Sequence, residues 1–330
     1  MRGKICLALV VAVVLLCTGC RLFNIGAAGP SASPAALFLQ EIDRYVTEPD
    51  VEAHITQQDR AFYRQLIDGV AGYEREIKLS DSHEQNLYYL SMLQKSPFAS
   101  LIKSTRFTKD KTSVKINYKY PESEHMQRIR VTEAELLRIL RQIILPDMNE
   151  TEKALAVYRY FSEMIRYDYQ WRSQEGQFSD IDLYQTLVSG KGVCHEYSYL
   201  CWYALTQLGM EAFCVTGVNT ADGAGHMWLL VQIDGAFYHC DPTWESVAGG
   251  SGLGFFGMTD EERLASGIRA SSFAAFHEQE YGDVACAEDS FEPLREVSSW
   301  SLSEGHVLRA FDAAGEFAFD TVHKCVIGNE

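Results

Sequence analysis

The chain has 330 residues, of which 47% are hydrophobic and 12% aromatic, with 8 prolines. This composition is typical of globular proteins and excludes the disordered and fibrous classes. Its 29 lysines and arginines are outnumbered by 45 aspartates and glutamates, so the net charge is −16. We therefore expect no nucleic-acid partner, because phosphate binding requires a basic face.

The first twenty residues are typical of an export signal. Arg2 and Lys4 precede an apolar run over residues 5–16. That run is too short to cross a bilayer comfortably and has the character of a signal-peptide core. The pattern predicts a signal peptide over residues 1–19.

The end of this signal, residues 16–20 with the sequence LCTGC, resembles the bacterial lipoprotein box. In that box the last cysteine is lipidated, so the resemblance implies a lipid anchor at Cys20 and a location at the extracytoplasmic face of the cell membrane. An ordinary secreted segment is the alternative. Residues 20–36 are small and rich in glycine, proline and serine, which predicts a tether.

Residues 37–148 are predicted to form an N-terminal α+β domain. Apolar spacing predicts one helix within residues 57–79 and a second over residues 83–95, whereas residues 106–120 alternate as a strand does. Thr132 opens a capping-box pattern that predicts the start of a further helix. No set of chemical groups stands out here, so we expect this domain to pack against the rest or to position a substrate.

Residues 149–268 carry the candidate chemistry. Asn149 is predicted to cap a helix, and Cys194 is predicted to begin another, whose apolar face continues to Gly209. At a first turn the free N–H groups and the helix dipole favour an anion, so this position favours the thiolate of Cys194. Residues 269–330 are predicted to form a C-terminal β-rich extension.

Three strands are predicted after the cysteine helix, over residues 211–217, 226–233 and 236–241. Asp234-Gly235 separates the last two strands and is the strongest short-range signal for a hairpin. Such a two-residue turn pairs Leu230 with His239.

The same register makes His226 and Asp241 diagonal neighbours on one sheet face, roughly 7–8 Å apart. A carboxylate there can accept the imidazole N–H and fix the tautomer of His226. If the helix that begins at Cys194 packs on this face, its sulfur meets the other ring nitrogen, giving a nucleophile, a base and an orienting acid. His239 lies on the same face as Asp241 and is a rival candidate for the base.

Several motifs occur in a fixed order: Gly192-Val193-Cys194, Tyr197, Leu208-Gly209, Gly217, His226 with Trp228, Asp234-Gly235 with Tyr238, and Asp241-Pro242-Thr243-Trp244. These motifs resemble the transglutaminase-like superfamily, a group of papain-like cysteine enzymes that includes transglutaminases, peptide N-glycanases and bacterial proteases. The resemblance covers about residues 150–250 and implies that Cys194 is the nucleophile, His226 the base and Asp241 the orienting acid.

The resemblance also implies a fold and a reaction. The fold is α+β, with the nucleophile helix packed on an antiparallel sheet. The reaction is acyl transfer on the amide bonds of a peptide or protein substrate, either hydrolysis or cross-linking transfer, at the cell surface and without a cofactor. A catalytically idle domain that serves as a binding or assembly module of the cell envelope is the alternative.

Further site residues follow from the same motifs. Trp228 and Trp244 are candidate substrate contacts, with packing around the site as the alternative. Trp171 and Gln185 are candidates for the second oxyanion donor, beside the backbone N–H of Cys194.

Six cysteines follow Cys20, and their spacing predicts no metal site. None forms a CxxC pair, and neither an HExxH motif nor an EF-hand pattern occurs, so we expect no metal ion. Disulfides are possible in an exported protein, but positions within apolar segments suit buried free thiols equally well. The six are Cys194, Cys201, Cys214, Cys240, Cys286 and Cys325.

Overall fold

The computed structural model describes residues 39–47, 56–172, 182–270 and 284–328. The predicted signal peptide, Cys20 and the tether lie outside these residues. Within the described residues, no helix has both the length and the apolar character needed to span a membrane.

The first part of the fold is a small three-stranded antiparallel sheet with two helices, and it has its own apolar core. The two predicted helices are confirmed, and the alternating segment at 106–120 contains the second strand of a hairpin. The elements are α1 (Gln57–Ala71), β1 (Glu76–Lys78), α2 (His83–Gln94), β2 (Ile102–Phe107) and β3 (Ser113–Tyr118), with strand order β1-β3-β2.

A long helix, α3 (Glu122–Ile143), follows this sheet. The prediction that this helix begins at Thr132 was wrong, because it begins ten residues earlier, after Pro121. No glycine or proline interrupts residues 122–132, so the helix runs through the capping pattern and Thr132 is buried inside it. The helix contributes Ile129 to the first core and Leu136 to a second, larger core.

The second core is built around the helix that begins at the candidate nucleophile. Asn149 and Glu152 form the predicted capping box at the start of α4. The elements here are α4 (Glu150–Met164), β4 (Arg166–Tyr167), α5 (Tyr169–Arg172), α6 (Leu183–Ser189), β5 (Lys191–Gly192) and α7 (Cys194–Gln207). Strands β4 and β5 form a short parallel pair.

An antiparallel sheet of order β8-β7-β6-β9 packs against α7. The predicted pairing of Leu230 with His239 is confirmed. Asp234 and Gly235 both have positive φ, 50° and 83°, as a type I′ turn requires. The elements are β6 (Ala212–Asn219), β7 (Gly225–Ile233), β8 (Ala236–Cys240), α8 (Pro242–Ala248), α9 (Asp260–Ala265) and β9 (Ile268–Ala270).

Helix α7 does not pack on the sheet face that the sequence suggested. Leu229 and Val231 belong to the core shared with α7, whereas Trp228 and Leu230 belong to a separate cluster on the opposite face. Because side chains alternate along a strand, His226 lies on the face of Trp228, away from the body of α7. The helix and the imidazole meet only where α7 and β7 begin.

The C-terminal part contains the predicted strands, arranged as an antiparallel sheet in sequence order. Asp312 forms a turn in this sheet, and its side chain accepts hydrogen bonds from the backbone N–H groups of Ala314 and Gly315. The strands are β10 (Ser299–Ser303), β11 (Val307–Phe311), β12 (Glu316–Asp320) and β13 (Cys325–Ile327). The predicted divisions at 148/149 and 268/269 stay predictions. All six cysteines after Cys20 are free thiols.

We expect Leu200→Ala to destabilise the protein strongly, because Leu200 is fully buried in the core around α7. The lost apolar contact and the cavity left behind should lower the free energy of unfolding by about 2–5 kcal/mol. The matched control is Leu87→Ala in α2, where the side chain is half exposed and the expected change is within about 0.5 kcal/mol. Urea unfolding of both variants measures the difference. Equal losses would contradict the placement of this core.

Candidate active site

The nucleophile candidate, Cys194, is the first residue of α7 and is 9% exposed. Gly192 makes the preceding turn tight, since a β-carbon there would lie 3.1 Å from Thr186 Cγ2 and 3.2 Å from Glu196 Cβ. At this helix position the backbone N–H has no acceptor within the helix, so the N–H of Cys194 is available to an oxyanion.

The positive end of α7 also holds a buried carboxylate. Glu196 accepts a hydrogen bond from the backbone N–H of Val193 at 3.1 Å and contacts His195 Nδ1 at 2.9 Å. This carboxylate offsets part of the field that the sequence analysis assigned to the thiolate.

The structure brings the three predicted side chains together. His226 Nε2 lies 2.6 Å from Asp241 Oδ2, and the Cys194 side chain is close enough to raise the pKa of the imidazole. Because Nε2 is engaged by the carboxylate, Nδ1 is left for the sulfur. The imidazole therefore lies between a sulfur and a carboxylate, in the order that the sequence predicted.

Asp241 reaches this position by leaving the sheet. The β7–β8 ladder ends at Leu229 and Cys240, and Asp241 caps α8 instead of extending the strand. Its Oδ1 accepts the backbone N–H groups of Thr243 at 3.1 Å and Trp244 at 3.0 Å. The cap directs Oδ2 to His226, so the contact is much closer than strand pairing alone would give.

A fourth side chain, Arg263 from α9, was missed by the sequence analysis. Its Nη2 donates to Asp241 Oδ2 at 2.8 Å, and the residue is 2% exposed. Arg263 is 22 residues from Asp241 in sequence and falls in no recognisable motif. The only local signal is the Thr259 capping box, which predicts the helix but not the direction of the arginine side chain.

The buried charges shift the pKa values of the site. Burial by itself would lower the pKa of His226, but the Asp241 carboxylate and the Cys194 sulfur raise it to about 9. Burial by itself would raise the pKa of Asp241, but His226 and Arg263 hold it below its usual value. At neutral pH the imidazole is therefore protonated and the carboxylate is ionised.

Two tryptophans pack against the His226 imidazole. Trp228 stacks on His226 with ring centroids 5.9 Å apart, and Trp244 lies 5.6 Å from the same ring. Trp228 is completely buried, and its indole N–H donates to His239 Nδ1 at 2.8 Å. The prediction of Trp228 as a substrate contact is therefore corrected: it packs behind the site. Trp244 is partly exposed and remains a candidate contact.

His239 is held away from Asp241, so it is not the base. Its Nε2 lies 2.8 Å from Asp260 Oδ1, and burial lowers its pKa and keeps it neutral. Because an indole N–H can only donate, Nδ1 is the acceptor and Nε2 carries the proton.

The proton on His239 Nε2 also bears on whether a nearby set of three side chains can bind a metal ion. His239, Asp260 and Cys286 bring three such atoms within 4.8 Å of one another. Asp260 accepts from His239 on one oxygen and from the backbone N–H of Cys286, at 3.0 Å, on the other. A metal ion at Nε2 would have to displace the proton that Trp228 fixes there. The set is a satisfied hydrogen-bond network, and its residues do not fit a metal centre.

The two candidates for a second oxyanion donor remain predictions. Gln185 is exposed on α6, and the backbone N–H of Trp171 bonds to Asp168 Oδ1.

A groove of about 360 Å³ opens beside His226. Its walls are largely aromatic and aliphatic, and Tyr169 is 65% exposed there. Among the described residues that line it, His226 is the only acidic or basic one. The lining residues are Tyr167, Tyr169, His226, Thr243, Trp244, Val247, Ala248 and Phe255.

The chain was compared with known proteins. The family model of the transglutaminase-like superfamily matches residues 138–242. Among solved structures, the chain is similar to a TGase, with 19% identity, 38% of this chain and 34% of that chain covered, and a TM-score of 0.31. It is also similar to a candidate cysteine protease from Cytophaga hutchinsonii, with 14% identity, coverage of 44% and 41%, and a TM-score of 0.29.

The chain spans roughly a third to two fifths of the length of these two proteins. No curated protein matches it. The family match includes Cys194, His226 and Asp241, and the structure has the expected mixture of helices and antiparallel sheet. Residues 138–242 thus match the transglutaminase-like superfamily, and the structure of this segment is an α+β fold.

Proposed function

We propose that this protein is a cysteine-dependent enzyme that acts on amide bonds of peptides or proteins through a thioester intermediate. The observation that carries the proposal is the position of His226, which lies 2.6 Å from Asp241 and close enough to Cys194 for the sulfur to raise its pKa. A nucleophile, a base and an orienting acid in contact are the groups that acyl transfer requires.

The reaction begins with attack of the Cys194 thiolate on the amide carbonyl carbon. The resulting oxyanion is stabilised by the backbone N–H of Cys194 at the start of α7. The His226 imidazolium gives its proton to the leaving amine, the C–N bond breaks, and a thioester forms on Cys194. Neutral His226 then takes a proton from water or from a second amine as that nucleophile attacks, and the thiolate is released. Water gives hydrolysis, and an amine gives cross-linking.

The groove beside His226 supports a preference for substrates with an apolar side chain near the reacting amide. Its exposed walls, Tyr169 and Val247, are apolar. We expect it to take an aromatic or branched aliphatic side chain close to the reacting amide, because such a side chain loses water on entry and meets no unpaired charge.

The location of the reaction is a proposal from the sequence alone. With a lipid anchor at Cys20, the enzyme would act on peptides or proteins of the cell envelope. The net charge of −16 gives the domain no electrostatic attraction to anionic lipid, so the anchor itself would have to hold it at the membrane.

The first prediction concerns the reactivity of Cys194. In the purified protein at pH 6.5, iodoacetamide should label Cys194 before any other cysteine, because a neighbouring imidazolium stabilises the thiolate. His226→Ala should remove this preference. Mass spectrometry of tryptic peptides measures the label at each position.

Cys325 is the internal control for this labelling, because it is exposed and lies in the C-terminal sheet. An ordinary exposed thiol should react appreciably only at alkaline pH. If Cys194 reacts no faster than Cys325 at pH 6.5, the idle envelope module becomes the better account.

The second prediction concerns the proton on His226. In an NMR titration its ring should titrate near pH 9, because Asp241 and Cys194 raise its pKa to about 9. Asp241→Asn should lower that pKa by more than about one unit, since burial then opposes the charge with less compensation. An unchanged His226 titration in Asp241→Asn would contradict the proposed coupling.

The third prediction concerns the groove. In a peptide library, cleavage or amine incorporation should favour substrates with an aromatic or branched aliphatic residue near the reacting amide. Tyr169→Ala should raise KM for such substrates by about tenfold while changing kcat little. The reason is that it removes an apolar contact that the substrate makes equally in the bound ground state and in the transition state. Phe311→Ala, an exposed aromatic in the C-terminal sheet, should leave KM unchanged. A library without apolar preference would rule out this use of the groove.

A further inference from the structure

We propose that Arg263 is a positioning residue that allows Cys194 and Asp241 to carry negative charge at the same time. The inference rests on the proposed cysteine chemistry. It assigns a role in that chemistry to a residue that lies outside the segment matched by the family model, residues 138–242.

The contacts of Arg263 converge on one oxygen atom. Its Nη2 lies 2.8 Å from Asp241 Oδ2, the same atom that His226 Nε2 contacts at 2.6 Å. The guanidinium lies 4.5 Å from the ring centroid of Trp228 and 4.8 Å from that of Trp244. Held between two indole faces, a planar guanidinium keeps one orientation.

The remaining donors of Arg263 show that this arrangement has a cost. Its Nε and Nη1 are buried and have no hydrogen-bond partner among the residues that the structure describes. Burying a charged group with unsatisfied donors is unfavourable, and replacing a buried ion pair with apolar residues is often neutral or stabilising. Stability alone therefore does not explain why an arginine is buried here. Its contact with the Asp241 carboxylate does.

The positive charge of Arg263 balances the other charges of the site. In the reactive state four groups lie in sequence, with alternating sign: the Cys194 thiolate, the His226 imidazolium, the Asp241 carboxylate and the Arg263 guanidinium. Their sum is zero. Without Arg263 the same buried site would carry one net negative charge, and either the thiolate or the carboxylate would tend to take up a proton.

The other titratable groups around Asp241 and Arg263 do not replace this charge. Burial raises the pKa values of Tyr158, Cys201 and Cys240 and lowers that of His239, so all four are neutral at pH 7. Glu245, on α8, is the remaining acid, and burial raises its pKa. A charged Glu245 would add negative charge near Asp241. Among the described residues that face Asp241, only Arg263 and His226 supply positive charge.

The position of Arg263 is fixed by a second arginine that does not touch the site. Arg295 bonds to Glu262 in two places, at 2.7 and 2.8 Å, and so holds α9. Arg295 offers a matched control, because it is a partly buried arginine paired with an acid on the same helix but makes no contact with Asp241.

The test measures the pH dependence of Cys194 alkylation by iodoacetamide in full-length wild type, Arg263→Met, Arg263→Lys and Arg295→Met. In Arg263→Met the acidic limb of the profile should move to higher pH by about one unit or more, because the carboxylate and the thiolate each become easier to protonate. Arg263→Lys should restore part of that shift by retaining the charge. Arg295→Met should lower stability and leave the limb in place.

An acidic limb that stays in place in folded Arg263→Met would overturn the inference and leave Arg263 a structural residue. If that variant does not fold, a pH titration of the carboxyl ¹³C resonance of Asp241 in wild type tests the inference instead. No titration above pH 4 supports the inference. A titration midpoint above pH 4 overturns it. Failure of the proposed function gives a different result, since Cys194 of wild type would then show no preferential labelling at any acidic pH.

Discussion

The organisation of the candidate active site depends on the burial of one ionised carboxylate. Asp241 has 0% exposure, and an unpaired charge in that position would be strongly unfavourable. His226 and Arg263 share one of its oxygens, and the backbone N–H groups of Thr243 and Trp244 share the other. Because these donors come from β7, α9 and α8, the carboxylate joins three separate elements of the fold at one point.

The proposed reactivity of Cys194 depends on the same carboxylate. The start of α7 offers a partial positive charge, but Glu196 already uses it through the Val193 N–H. The imidazolium of His226 is then the main source of positive charge for a thiolate, and that imidazolium exists at neutral pH because Asp241 raises its pKa to about 9 against the effect of burial. The proposed reactivity of the sulfur therefore depends on a side chain that it does not contact.

Local patterns predicted much of this site, and long-range packing explains the rest. Asp234-Gly235 set the hairpin register because a type I′ turn demands residues that tolerate positive φ. The apolar face that follows Cys194 predicted the helix that begins there. The direction of Arg263, the sheet face covered by α7, and the burial of Trp228 depend on contacts between distant segments, which spacing does not encode. The start of α3 was misplaced because the capping pattern at Thr132 competes with an uninterrupted helix that begins at Glu122.

The ionisation of the Cys194 sulfur is the central claim, and ultraviolet absorbance near 240 nm reports it directly because thiolates absorb there and thiols do not. The measurement is the difference spectrum between wild type and Cys194→Ser at pH 7, repeated in the His226→Ala background. The account predicts a thiolate signal at pH 7 that disappears when His226 is removed. A signal absent at pH 7, or one that persists without His226, would contradict it.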